Sequence, residues 1–300
     1  MKTYLPDKIK EFLSKPLFDE KVILEKDPSW PKISVVTPSL NQAQYLEKTI
    51  LSVLNQNYPN LEYIIIDGAS TDGSVEIIKK YEKYLSYWES NPDRCHTDAL
   101  NKGFRRCTGE IIGWQNSDDF YLPGAFIRVG SLFAKQPKLD VVFGDKVLVD
   151  ENDNYLFEFK YVPFSLGSLV HEGNIIVNES AFWKRSLFDK VGYIDEQWYF
   201  SMDYEFFLRL GLAKVNFKHI PEFFGAMHYH SDTKTSRIWD MKITDDRSIL
   251  EKYGLRRNKA LSLFYMIKRT FGYLLYGDFR YIFIGMKRLS RRIKKQNNNE

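Results

Sequence analysis

Cysteine is almost missing from this chain: Cys95 and Cys107 are the only two in 300 residues. The stretch between them, HTDALNKGFRR, reads as helix, and helical geometry holds the two roughly 18 Å apart, beyond the reach of a disulfide. A disulfide-framed fold is thereby excluded, and a reducing compartment is expected. An N-terminal apolar leader is also lacking, since MKTYLPDKIKEFLSKPLFDEK is polar and interrupted by prolines. No uninterrupted apolar run reaches the roughly 18 residues of a membrane-crossing helix. A cytoplasmic location is the expectation. Glycine is absent where nucleotide-binding folds most often use it, because neither G-x-G-x-x-G nor G-x-x-x-x-G-K-[ST] follows a strand. With no glycine-rich nest for phosphates, a diphosphate bound here would need a divalent cation.

What the chain does have is apolar bulk, 44% hydrophobic and 16% aromatic, enough for one large core or two smaller ones. Its net charge of +4 is unevenly placed: residues 255–300 hold twelve lysines and arginines against Asp278 and Glu300, so the remainder is net acidic. In that tail Leu263-Phe264-Tyr265, Leu274-Leu275-Tyr276 and Tyr281-Ile282-Phe283-Ile284 alternate with the cations. Such a segment can lie on an anionic membrane surface, or pack on the body with its charges in water. No nucleic-acid module accompanies the charge, so nucleic acid is not an expected partner.

From Lys32 onward, short β-branched runs alternate with helical periodicity. KISVVTPS, LEYIIIDG, GEIIGWQNSDD and LDVVFGD read as strands; YLEKTILSVLNQ, SVEIIKKYEKYLSYW, HTDALNKGFRR and GAFIRVGSLFAK read as helices. Over residues 32–145 this predicts βα units around a largely parallel sheet. Ligands on such sheets bind beyond the carboxyl ends of the strands, and here three strands end in TPSLN, DGASTDGS and QNSDD. Adjacent carboxylates such as Asp118 and Asp119 are costly to desolvate unless a cation or donors answer them. Chemistry alone leaves two readings of them, oxygen ligands for Mg²⁺ or Mn²⁺ and caps of the next helix. Asp67 can accept from a base or ribose edge, and Asp72 reads as a helix cap. The histidines show no zinc spacing, since His228 and His230 lack a third soft ligand.

The ordered set ISVVTPSLNQAQYLEKTILSVLNQNYPNLEYIIIDGASTDGS, NKG, TGEIIGWQNSDD and DYEFFLRL, between about Pro31 and Ser236, resembles the inverting family-2 glycosyltransferases of the GT-A fold. The resemblance implies an α/β, Rossmann-like nucleotide-binding fold with a mostly parallel mixed sheet flanked by helices. The expected division is an extension over 1–31, a GT-A domain over 32–250 and a helical basic segment over 255–300. It implies an enzyme moving a sugar from a nucleotide-diphosphate donor to a hydroxyl of a glycan or lipid-linked acceptor, in surface polysaccharide biosynthesis, with the tail as a route to peripheral attachment on the inner membrane face. Thr37, Pro38 and Asp67 match positions that embrace nucleobase and ribose, and Asp93 a further nucleotide-side position. Asn116-Ser117-Asp118 falls on the D-x-D motif, with Asp118 touching Mn²⁺ or Mg²⁺ and His230 a second residue near the metal or diphosphate. Asp203 matches the catalytic base, with Glu205 and then Glu179 as further candidates.

The departures are Asn116 for the first Asp of that motif, Cys95 and His96 where a glycine and a polar residue are commoner, and His228 where an arginine often contacts phosphate. Asn116 keeps open a non-catalytic nucleotide-sugar binder. A nucleotidyltransferase is a further alternative, although the basic phosphate loop it needs is missing. Phe182 and Trp183 read either as a platform for an acceptor sugar or as core.

Overall fold

A computed structural model of the chain describes residues 3–229, 239–276 and 281. Its N-terminal part carries β1 (Thr3–Tyr4), α1 (Asp7–Ser14) and α2 (Glu20–Glu25). Next come β2 (Ile33–Ser39), α3 (Ala43–Leu54), β3 (Leu61–Asp67), α4 (Ser74–Tyr81), β4 (Tyr87–Ser90), α5 (His96–Arg106) and β5 (Ile111–Trp114). They are followed by β6 (Phe120–Tyr121), α6 (Ala125–Lys135), β7 (Val141–Asp150), β8 (Asn154–Phe159), α7 (Leu166–Glu172), β9 (Ala181–Lys184) and α8 (Leu187–Val191). α9 (Met202–Leu212), β10 (Phe217–Tyr229), α10 (Trp239–Lys252) and α11 (Lys259–Gly272) complete the described α-helices and strands, and a 3₁₀ turn, Tyr273–Tyr276, follows α11.

The strands β2 and β3 are buried at every position. Successive side chains of a strand point to opposite faces, so full burial means that both faces of the sheet are covered, which is why these strands read as unbroken apolar runs. Val36, Ile64, Ile66, Ile112 and Trp114 pack with residues of α5, α7 and α9. The alternate set, Ile33, Val35, Tyr63, Ile65 and Ile111, packs with residues of α3, α4 and α6. At Gly103, within NKG, a Cβ would lie 2.4 Å from Val36 Cγ1; this glycine lets α5 rest directly on β2.

Sheet order is β1-β8-β7-β9-β5-β2-β3-β4, with β10 pairing both β7 and β6. Pairing is parallel through β5-β2-β3-β4 and between β7 and β10. It turns antiparallel where β9 is inserted between β5 and β7. The helix expected to run through SVEIIKKYEKYLSYW stops at Tyr81, and Tyr87–Ser90 is instead the edge strand β4, paired with Ile64–Asp67. Aromatic residues suited to a pleated surface and an open sheet edge outweigh the helical period there. Phe182 and Trp183 of β9 are wholly buried, one in each half of the core, so the core reading of the pair holds.

Residues before β2 dock on α3 through Asn55, whose amide donates to the carbonyls of Phe12 (2.5 Å) and Lys15 (2.8 Å) and accepts from the Leu17 N–H (2.8 Å). β10 passes close to the turn before β9: a Cβ on Gly225 would stand 1.9 Å from the Glu179 carbonyl oxygen. Gly225→Ala is therefore expected to destabilise the fold by about 2–3 kcal/mol, seen as a lower urea midpoint at unchanged m-value.

Candidate functional site

Registration alone brings three strand ends together, since Ser39 of β2 lies beside Asp67 of β3 and Asp67 beside Ser90 of β4. Asp67 is fully buried and accepts from the Ser70 N–H (2.9 Å), the Ser70 hydroxyl (2.5 Å) and the Ser90 hydroxyl (2.6 Å). Three donors leave one lone-pair site of its carboxylate for a ligand. Thr37 is buried with its hydroxyl 3.1 Å from that of Tyr63, and Pro38 is buried beside it. Their main chain forms this edge of the crevice. Asp72 caps two helices, accepting from the first N–H of α4 (Ser74, 3.1 Å) and of α3 (Ala43, 2.9 Å).

Asp93 follows β4, and its Oδ1 pairs with Lys102 Nζ at 2.5 Å. Oδ2 is buried without a hydrogen-bond partner, 3.2 Å from where a Cβ on Gly68 would stand. Burial raises the pKa of this carboxyl. A buried acceptor left open beside Gly68 suits a donor supplied by a ligand.

The acidic turn after β5 is held from three directions. Gln115 N–H donates to Val36 O (3.0 Å), and Trp114 Nε1 donates to Asn116 Oδ1 (2.8 Å). From α3, the Thr49 hydroxyl reaches the carbonyls of Ser117 (2.9 Å) and Asp119 (2.7 Å). Asp119 is 4% exposed, and its two oxygens accept from Asn116 Nδ2 (3.2 Å) and the His228 N–H (3.1 Å). Burial, then the charges of Asp118 and Glu179, raise its pKa well above the usual range. Protein donors thus answer Asp119, while Asp118 is half-buried. His228 does not serve as the phosphate contact its position suggested: its side chain is fully buried between the rings of Tyr45 and Phe120. Nδ1 meets the Asp118 carbonyl, and Nε2 lies 2.8 Å from Asp153, itself paired with Lys48 at 2.6 Å. His230 lies outside the described residues.

Asp203 stands in the first turn of α9, whose Phe206, Phe207 and Leu210 are fully buried. Oδ2 accepts from Asn174 Nδ2 (2.7 Å) and Oδ1 from the Tyr204 N–H (2.7 Å). Burial, reinforced by the charge of Glu179, lifts its pKa to about 6 against the pull of that N–H. The turn before it is tied to α10, with Phe200 and Ser201 N–H groups on Asp245 (3.0 and 3.2 Å) and the Ser201 hydroxyl on Asp246 (2.7 Å). It also meets α5, where the Thr97 hydroxyl donates to Met202 Sδ at 3.0 Å. The same end of α5 places His96 5.9 Å from the Trp114 ring, so the turn carrying Asp203 joins the strand-end edge.

The other base candidates are otherwise engaged. Glu205 is fully buried against Arg209 (2.8 Å) and the Tyr253 hydroxyl, lining a separate cleft of about 500 Å³ beside Asn101, Arg105 and Tyr193. Glu179 forms a buried pair with Lys146 at 2.8 Å. Asn174, Asp153 and Lys48, which orient the site, carried no signal in the sequence, since each acts across a long separation in the chain.

Among the described residues no group of three or more His, Cys, Asp or Glu side chains forms a metal cage. The arrangement nevertheless fits a hard cation shared with a ligand: Asp118 is a half-exposed oxygen donor beside a carboxyl already satisfied by protein. Mg²⁺-type ions are characteristically held by one or two carboxylates together with substrate phosphates.

Residues 34–191 match the sequence model of the family described as Glycosyl transferase family 2. An uncharacterized glycosyltransferase of Mycobacterium tuberculosis is 32% identical over 190 residues, covering 62% of this chain and 71% of that protein. TuaG of Bacillus subtilis, a glycosyltransferase named for teichuronic acid biosynthesis, is 40% identical over 94 residues, covering 30% of this chain and 36% of that one. Among solved structures, the mannosyltransferase PcManGT of Pyrobaculum calidifontis, in complex with GDP-Man and Mn²⁺, superposes with a TM-score of 0.55. It is 18% identical and covers 82% of this chain and 69% of that chain.

Proposed function

This chain belongs to glycosyl transferase family 2 and has the GT-A fold, and from that premise we propose a metal-dependent, inverting transfer from a nucleotide-diphosphate sugar to an acceptor hydroxyl. That the protein is a glycosyltransferase follows from the family. The observation that carries the finer reading is Asp203, a carboxylate with its pKa lifted to about 6 and aimed by Asn174. A general base works best with a pKa near the working pH.

In this reading the nucleotide lies along Thr37, Pro38, Asp67 and Asp93, where the open Oδ2 of Asp93 accepts from it. Asn116 and Asp118 face the diphosphate. A divalent cation bound by Asp118, Mn²⁺ or Mg²⁺, would neutralise charge on the leaving diphosphate. Asp203 takes the proton of the acceptor hydroxyl as that oxygen bonds to the anomeric carbon, and the bond from this carbon to the diphosphate oxygen breaks with its electron pair. Attack from the face opposite the leaving group inverts the anomeric centre. The acceptor is a glycan or lipid-linked glycan of the cell surface, a reading supported by the likeness to TuaG.

Titration calorimetry with UDP and GDP, each with Mn²⁺ and with EDTA, tests the donor side. One nucleotide is expected to bind with Mn²⁺ and at least tenfold more weakly without it. Failure of both to bind, or binding indifferent to metal, would overturn the assignment of Asp118.

A further inference from the structure

Helix α11 is amphipathic in an unusual sense, because its apolar side is the one turned outward. Its inner side is fastened to α7 and the segment before it. Met266 and Tyr273 are buried, Tyr265 stacks on His171 at 5.7 Å, Arg269 pairs with Glu172 at 2.9 Å, and the Tyr273 hydroxyl donates to Lys160 O at 3.0 Å. Asn258 caps the helix, accepting from the Leu261 N–H at 3.0 Å. On the outer side Phe264, Ile267, Phe271 and Leu274 are 55%, 36%, 64% and 46% exposed. They recur every three or four residues, hence on one face, and Leu261 at 44% flanks them. Single exposed apolar residues are ordinary, but four along one face of α11, continued by Leu274 in the turn just past its end, form a patch that calls for a partner.

Charge identifies that partner. Residues 255–277 contain Arg256, Arg257, Lys259, Lys268 and Arg269 and not one acidic residue. Arg257 and Arg269 are spent on Asp246 and Glu172, whereas Lys259 and Lys268 are exposed beside the apolar face. A second copy of this face would bring cations against cations. An anionic lipid surface offers both an apolar boundary and opposite charge. The helix has 14 residues, about 21 Å, too short to span a bilayer, and among the described residues no helix is long and apolar enough to cross one.

We propose that the outer face of α11 docks in the headgroup boundary of an anionic lipid bilayer and holds the acceptor side of the site at that surface. α7, on which α11 packs, leads through Gly173 into Asn174, the residue that donates to Asp203. A lipid-linked acceptor would thus meet the base one helix away from the bilayer. This deepens the lipid-linked reading of the acceptor and rests on it for its purpose, though not for its test.

The test is flotation of the full chain with phosphatidylcholine vesicles containing or lacking phosphatidylglycerol. Binding is expected only with the anionic lipid and is expected to weaken with salt. The double variant Phe264→Asp/Phe271→Asp should lose roughly tenfold to a hundredfold in partitioning, with its thermal melt and nucleotide binding unchanged. Equal binding to neutral vesicles, or wild-type binding by the double variant, would overturn the proposal. So would a dimer in sedimentation that the variant dissolves, because the face would then belong to a second copy. A wild-type chain that binds nucleotide and no vesicles sinks this inference alone; a wild-type chain that binds anionic vesicles and no nucleotide sinks the catalytic reading alone.

Discussion

Asp203→Asn is expected to cut transfer by roughly three orders of magnitude while donor affinity, measured by calorimetry, stays within a factor of two or so of wild type. The substitution removes the proton acceptor and keeps the volume. The pH profile gives a second readout. The base must be ionised to act, so kcat/KM of the wild type should fall about tenfold per unit below pH 6, whereas residual turnover of the variant should lack this limb. Stability moves the other way. A folded-state pKa raised from 3.8 to about 6 means that the native protein binds this proton more tightly than the unfolded chain. The stabilising contribution is complete below the unfolded value and is lost as pH rises through about 6. At neutral pH the half-buried carboxylate is therefore a cost. The amide retains only one of the two acceptors used by Asn174 and Tyr204, so the net gain on substitution is about 1–2 kcal/mol. The variant should melt a few degrees higher at pH 7.5 and equal to wild type near pH 4. Unchanged turnover would place the base elsewhere.

The parts of this fold that can be read from sequence are those fixed by burial and local period. β2 and β3 sit in the parallel centre, covered on both faces, and their continuous apolar runs carry that signal. β4 was hidden, because Tyr87 and Trp88 continue the helical period of α4 and only pairing with β3 makes them strand. The antiparallel insertion of β9 was equally invisible: its partners Ile111–Gly113 and Val141–Phe143 lie far away in the chain. The site divides in the same way. Asp67, Asp118 and Asp203 stand at element ends, where motif order places them. Their hydrogen-bond partners Ser90, Asn174 and, through His228, Asp153 come from other segments and follow no period. The pair Asp118-Asp119 shows the limit most clearly, since two identical neighbours receive opposite environments only once β10 has delivered the His228 N–H to one of them.

That asymmetry makes the pair a sharp test of the metal. Asp118→Ala is expected to weaken donor binding in Mn²⁺ roughly a hundredfold, about 2.7 kcal/mol, and to bring it to the value that wild type shows in EDTA. It should not unfold the protein. Asp118 is half-buried, and its charge is one of the causes that raise the pKa of Asp119, so removing it relieves a buried neighbour. Asp119→Ala should do the converse. It strands the His228 N–H and the Asn116 amide in a buried turn, at a cost of about 1–3 kcal/mol, and loosens the contact between β10 and the acidic loop. Its loss of donor affinity should be smaller and should persist without metal, because what it damages is the shape of the turn. Measured with and without Mn²⁺, the two variants separate ligand from scaffold. A metal-dependent loss in Asp119→Ala alone would exchange their roles, and equal affinities with and without metal in both variants and wild type would remove the cation from the reaction.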